Sequence, residues 1–214
     1  MFATAADGAK IWYECAPGPR PVLFLHGFAS EHEATWERTG WVRAVGERGH
    51  VLVDLRGHGN SERASSGYAP DALARDVLCA LEAAEVPPVD VVTYSMGGLV
   101  GWALARLAPG RVGRLVLGGI GGSRAARENM LRVREALSGD QPDACIDGVA
   151  GHGLEGEPPA PALFAAGELD EIAHDAESFA GELGAPFVSL GRRNHLNAVS
   201  SRRFKDAALE FLAS

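Results

Sequence analysis

The sequence is short of cysteine. Three are present, Cys15, Cys79 and Cys145, far apart and with no C-x-x-C pair. That argues against a disulfide-stapled secreted scaffold and suits free thiols in a reducing cytosol. Basic residues are also in deficit: Lys and Arg total 20 against 28 Asp and Glu, a formal charge of −8. The balance argues against nucleic acid as the main partner, because phosphate contacts need clustered cations. It argues equally against attraction to an anionic membrane surface. No apolar run approaches the roughly 20 residues that a membrane-spanning helix needs. The segment Met1 to Gly8 has no basic stretch and no long apolar one, so no secretory signal is expected and the expected location is cytoplasmic. There is no G-x-x-x-x-G-K-[ST], no H-E-x-x-H and no Cys/His ligand cluster, so no metal and no cofactor are expected. Gly151 to Gly156 does match G-x-G-x-x-G, but glycine-rich chain precedes it and Pro158-Pro159 follows. A dinucleotide site needs a strand before and a helix after, so the match is read as chance.

What remains is an ordinary globular composition. The 214 residues are 46% hydrophobic and 22% charged, enough to bury a core without staples. Short apolar runs alternate with helical patterns, which predicts an α/β fold with a mostly parallel sheet. Strands are expected at Lys10–Cys15, Pro21–Leu25, His50–Leu55, Val89–Thr93, Arg114–Gly118, Pro161–Ala166 and Pro186–Leu190. Asp7-Gly8 predicts a hairpin turn ahead of the first of these. Helices are expected at Trp36–Arg48, Pro70–Ala84, Ser95–Leu107 and Ser200–Leu212. One stretch breaks the rhythm. Gly119–Ala160 is too long for a plain crossover. It reads as an insertion over one end of the sheet, with one helix at Arg124–Leu137 and a flexible Gly/Pro-rich remainder.

The strongest chemical signal is Val91-Val92-Thr93-Tyr94-Ser95-Met96-Gly97-Gly98-Leu99. An apolar strand runs into a serine and a helix follows at once. Such a turn lifts the hydroxyl clear of the sheet and aims helix N–H groups at developing negative charge. Taken alone, Ser95 also fits a helix N-cap. The usual pattern is G-x-S-x-G; here Thr93 stands for the first glycine. Two further stretches join it: Leu25-His26-Gly27-Phe28 after an early strand, and Asp54-Leu55-Arg56-Gly57-His58-Gly59-Asn60-Ser61.

Together these stretches resemble the α/β-hydrolase family. The resemblance implies that fold: a mostly parallel, near eight-stranded sheet flanked by helices, in one domain over 1–214 with a reduced cap at about 119–160. It implies an oxyanion hole from the backbone N–H groups of Phe28 and Met96. His26 and the residues Asp54, Arg56 and His58 are read as loop-fixing. The family order of serine, then acid, then histidine points to His195 in Gly191–His195 as base. It points to Asp170 in Gly167-Glu168-Leu169-Asp170 as acid, with Glu168 as fallback and Asp175 weaker. His174 is placed in a helix, His152 in the insertion. Asp90 and Asp140 are read as solvated turn residues.

Phe28, Tyr94, Trp36 and His152 are the expected substrate-binding residues, although Trp36 and Trp41 read more readily as core anchors. The default activity is hydrolysis of a small-molecule carboxylic ester through an acyl-enzyme. Serine at the elbow disfavours dehalogenases and epoxide hydrolases. Thioesters, lactones and C–C bonds suit the same triad, and a catalytically silent ligand sensor is the alternative from another class. The short chain predicts a rather open, shallow site, and the acidic charge a monomer or weak homodimer.

Overall fold

In the computed structural model, which describes residues 1–214, the apolar runs become strands: β1 (Phe2–Thr4), β2 (Lys10–Ala16), β3 (Val22–Leu25), β4 (His50–Val53), β5 (Val89–Tyr94), β6 (Val112–Gly118), β7 (Ala162–Ala166) and β8 (Phe187–Ser189). All eight join one sheet in the order β1-β2-β4-β3-β5-β6-β7-β8. β1 and β2 form the expected hairpin, β2 runs antiparallel to β4, and every other pair is parallel. The central strands are buried on both faces, which is why they read as unbroken Val/Leu/Ala runs.

Alternate side chains serve opposite faces. Leu23, Leu25, Val91, Leu115, Leu117 and Phe164 pack toward α2 (Pro70–Ala83) and α3 (Met96–Leu107). Val22, Phe24, Val92, Val116 and Leu163 pack toward α1 (Trp41–Val45) and α7 (Arg202–Ala213). The helix expected at Trp36–Arg48 is broken. Gly40 takes φ +82° and Gly46 φ +54°, so a five-residue π turn (Glu33–Glu37), the short α1 and a 3-10 turn replace it. The insertion holds two helices rather than one, α4 (Arg127–Ala136) and α5 (Asp143–Val149). Cys145, Ile146 and Val149 of α5 are buried in the same core as α2 and α3, so the stretch expected to be flexible is packed. α6 (Ala176–Glu182) follows β7.

Register sets up the site. Leu25 pairs with Thr93, Tyr94 with Gly118, Gly118 with Ala165 and Ala166 with Ser189. The carboxyl ends of β3, β5, β6, β7 and β8 therefore finish level. The chain leaves β3 for β4 on one side and β5 for β6 on the other, a switch point where open α/β sheets bind ligands.

A buried polar cluster ties the loops at this end. His26 Nε2 accepts the Leu55 N–H at 3.0 Å, which leaves Nδ1 to donate to the Gly27 carbonyl at 2.8 Å. Asp54 accepts from the His32 N–H, from His32 Nδ1 and from the Asn60 N–H, each at 2.9 Å. Burial opposes the Asp54 charge, but these donors and His26 outweigh it and hold the carboxyl at about 2. Arg56 is clamped between Asp76 and Asp7. His58 is fully buried; burial, then the neighbouring His26, pushes its pKa down to about 3. At the other end of the sheet, Asp90 is not a solvated turn residue. It is a buried β5 residue paired with Arg20 and Arg48. Asp140 is exposed, as expected, and pairs with Arg63.

A pH dependence follows from the buried histidines. His58 stays neutral in the fold but protonates near its ordinary value once unfolded. The unfolded chain thus binds more protons, and stability rises with pH between about 4 and 6. Burial lowers His26 in the same direction, whereas Asp54 releases its stability only below that window. His32, raised by Asp54 against the effect of burial, acts above it. Urea melts of the wild type should lose up to about 1.4 kcal/mol per pH unit from His58 alone. The His58→Gln variant should show a correspondingly shallower slope; an unchanged slope removes His58 from this account.

Candidate active site

β5 ends at Tyr94 and α3 begins at Met96, leaving Ser95 alone at the turn. Its φ of +52° and ψ of −122° cost a non-glycine residue about 1–3 kcal/mol. Neighbouring chain holds it there. The Ser95 N–H donates to the Gly118 carbonyl of β6 and the Ser95 carbonyl accepts from the Gly98 N–H, both at 2.8 Å. Close approach also demands small residues. A Cβ on Gly97 would strike the Leu25 carbonyl, and one on Gly27 would lie 3.2 Å from Ser95 Cβ. Thr93 fits without disturbing the turn. Its Oγ1 donates to the Val116 carbonyl at 2.9 Å, and its methyl occupies the space left by Gly101 of α3.

Three side chains distant in sequence meet here. Ser95 Oγ lies 2.9 Å from His195 Nε2. His195 Nδ1 lies 3.0 Å from both carboxylate oxygens of Asp170. An ionised carboxylate only accepts, so the proton sits on Nδ1 and Nε2 is free to accept from the serine. The Asp170 side chain is fully buried, and its Oδ1 also accepts the N–H groups of Ile172 and Ala173 at 3.1 and 3.0 Å. This loop turn fixes the carboxylate. Glu168, the fallback acid, is exposed and faces Ser189 instead. Asp175 accepts from Ser123 Oγ at the root of the cap.

Phe28 follows Gly27 beside the serine, and its N–H makes no hydrogen bond within the protein. Met96 opens α3, so its N–H has no acceptor within the helix. Phe28 and Met96 line the same pocket as Ser95, and the Met96 N–H lies at the positive end of α3. Ala29, just after Phe28, is another non-glycine residue with positive φ, +57°.

Ser95, Met96 and Phe28 line a pocket of about 260 Å³. Its far wall is cap: Asn129, Met130 and Val133 from α4, and Val149 from α5. The site expected to be rather open and shallow is therefore walled on this side, because two helices stand where one helix and a flexible remainder were expected. Of the expected substrate-binding residues, Phe28 lines it and three others do not. Trp36 is fully buried on the opposite face of the sheet, against Phe24 and Trp41 at ring distances of 5.0 and 5.7 Å. His152 is exposed and lines a separate hollow with Arg75 and Arg106. Tyr94 is buried below the pocket, where its hydroxyl donates to the His195 carbonyl at 2.6 Å.

His174 and Glu171, by contrast, line the pocket. His174 lies in a turn before α6, not in a helix. The signal available for it was position alone, a few residues past the acid loop. The cap residues carried a clearer signal, since Ala126, Asn129, Met130 and Val133 share one helical stripe.

Comparison with known proteins bears on the family and the fold. The family described as alpha/beta hydrolase fold matches residues 20–140, more than half of the chain. The chain is 36% identical over 97 residues to a non-heme chloroperoxidase of Kitasatospora aureofaciens, covering 45% of this chain and 35% of that protein. It is 35% identical over 113 residues to an esterase of Mycobacterium tuberculosis, covering 52% and 36%. These matches thus span only about a third of the relatives' own length. Among solved structures, an esterase from Exiguobacterium antarcticum superposes with a TM-score of 0.80 at 19% identity, over 100% of this chain and 99% of that one. A hydrolase from Pseudomonas aeruginosa gives 0.81 at 23% identity, over 100% and 98%. At such identities the likeness is one of fold. With the family match lying across the His26-Gly27-Phe28 loop, the Ser95 turn and the start of the insertion, this chain belongs to the alpha/beta hydrolase fold family.

Proposed function

We propose that the protein is a serine hydrolase that cleaves small carboxylic esters through an acyl-enzyme. The observation that carries this reading is the unbroken hydrogen-bond chain from Ser95 through His195 to Asp170, beside two N–H donors and a pocket. His195 takes the Ser95 proton as Oγ attacks the acyl carbon. The Phe28 and Met96 N–H groups hold the oxyanion, each worth roughly a hundred- to a thousand-fold in rate. His195 then protonates the leaving group, and water activated by the same imidazole releases the acid. Asp170 fixes the tautomer and stabilises the imidazolium. The pocket, about 260 Å³ and mostly apolar, suits a short acyl chain. Thioesters, lactones and activated C–C bonds present the same carbonyl to the same groups.

The matched chloroperoxidase adds a second reading. An acyl-enzyme intercepted by hydrogen peroxide instead of water gives a peracid, which oxidises halide. Halide oxidation in acetate and peroxide is thus a second assay of the same serine.

A fluorophosphonate probe should label the wild type and not Ser95→Ala. An unlabelled wild type, or equal labelling of both, sinks the hydrolase reading. Asp170→Asn should lower kcat on p-nitrophenyl esters by about 10⁴-fold, because the amide stabilises the wrong imidazole tautomer. Its melting curve should stay cooperative. Glu168→Gln should change kcat by less than about twofold; the reverse ranking overturns the acid assignment.

Tyr94 should act through His195. Burial, with the Asp170 charge adding to it, raises its pKa well above the ordinary tyrosine value, so the hydroxyl remains a donor. Tyr94→Phe deletes only that hydrogen bond. It should lower kcat about tenfold with KM within twofold, since small misplacements of a base are costly. A purely structural role predicts lost stability with kcat intact.

A further inference from the structure

The Ser95–His195 hydrogen bond lies on the border between two hollows. Ser95, Met96 and Phe28 line the pocket already described; His195 does not. His195 lines a second groove of about 320 Å³, between α4 and the loops that carry Asp170 and His195. Asn129, Val133, Glu171 and Ile172 belong to both, so the two hollows adjoin. α4 supplies each with its own stripe. Asn129, Arg132, Val133 and Ala136 face the groove; Ala126, Asn129, Met130 and Val133 face the pocket.

Ester cleavage gives these hollows different work. The Ser95 Oγ–acyl carbon bond forms as the Oγ proton moves to His195 Nε2. The acyl carbon–alkoxy oxygen bond then breaks, its electron pair staying on that oxygen, which takes the same proton from Nε2. The leaving oxygen must therefore lie on the imidazole side, and the acyl chain on the side of the serine and the oxyanion donors.

We infer that the His195 groove is the leaving-group subsite, and that Leu169 and Leu196 select an apolar alcohol there. This rests on the ester reading above. Leu169 immediately precedes Asp170 and Leu196 immediately follows His195. They are 51% and 45% exposed, two of the few large hydrophobic side chains so placed on the whole surface. Single exposed leucines need no explanation. Two in one groove, each next to a triad residue and continued by Ile172 and Val133, form an apolar strip. The groove's other charges, Arg132 and Glu171, are of opposite sign, so the strip carries no net charge to attract an ionic leaving group.

Two ester series test this, with product acid titrated. Alkyl butyrates from ethyl to hexyl vary only the alcohol, at nearly constant leaving-group basicity. p-Nitrophenyl esters from acetate to octanoate vary only the acyl chain. Full burial of a methylene gives roughly fourfold in binding, and an open groove covers about one side of the chain. Wild-type kcat/KM should accordingly rise about twofold per alcohol methylene. Leu169→Ser/Leu196→Ser should flatten that rise while the acyl profile keeps its shape. Met130→Trp should do the converse, shortening the preferred acyl chain and leaving the alcohol profile as it was. Both leucines are half exposed, so their replacement should not unfold the protein; a melting curve verifies this. A flat alcohol profile in an active wild type overturns the groove assignment and leaves the ester reading standing. So does an acyl profile that moves with the leucine pair. No turnover of either series, with Ser95 unlabelled, overturns both.

Discussion

The backbone at Ser95 is the constraint on which the rest depends. A serine at φ +52° persists only where the surroundings leave no relaxed alternative. Those surroundings reach across the sheet. β6 fixes the Ser95 N–H through Gly118, β3 crowds Gly97 through the Leu25 carbonyl, and Gly27 lets its own loop approach within contact of the serine. Parallel register, small residues and the early start of α3 are consequences of one requirement. The hydroxyl must stand above the sheet with free N–H groups beside it. Thr93 shows that the requirement concerns space, not a letter pattern. The side chain that the usual glycine would omit is housed because α3 has Gly101 opposite.

Much of this was legible in the sequence because it is encoded locally. A strand ending in Ser95 and followed by a helix, a strand ending in His-Gly-Phe, and strands entering the loops of Asp170 and His195 are contiguous patterns. Chain order with register then brings them together. What was not legible depends on which face a side chain takes after an irregular turn. Trp36 follows the oxyanion loop by only a few residues, yet the π turn carries it to the opposite face beside Phe24. Tyr94 adjoins Ser95, but alternation along β5 turns it under the His195 loop. Asp90 was expected in a solvated turn, yet it is buried in β5. Its partners Arg20 and Arg48 come from elsewhere in the chain, and no local pattern announces them.

The cap was misjudged for a related reason. Gly and Pro suggested mobility, but α5 buries Cys145, Ile146 and Val149 in the main core. Burying such side chains is worth about 1.5–3 kcal/mol each for the larger ones. The exposed pairs Arg124–Glu155, Arg127–Asp147 and Arg134–Asp143 contribute little beside that. The cap is therefore an extension of the core, not a flap held by surface charges. Of α4, which supplies most of the pocket's far wall, only Met130 is buried, so α5 carries the anchoring.

Electrostatics divides the histidines of this end of the sheet in the same spirit. His26 and His58 lie close to the oxyanion loop, with a ring distance of 5.6 Å from His58 to Phe28. Burial lowers the pKa of both; His26 bonds to the Gly27 carbonyl and the Leu55 N–H, His58 to the Arg56 carbonyl. Asp170, by contrast, faces His195, at 3.0 Å from Nδ1. Asp54, the other buried carboxylate nearby, is already spent on His32 and backbone N–H groups. Two imidazoles at this end thus hydrogen-bond a carboxylate, His32 with Asp54 and His195 with Asp170. Of these two, His195 is the one whose other nitrogen reaches Ser95.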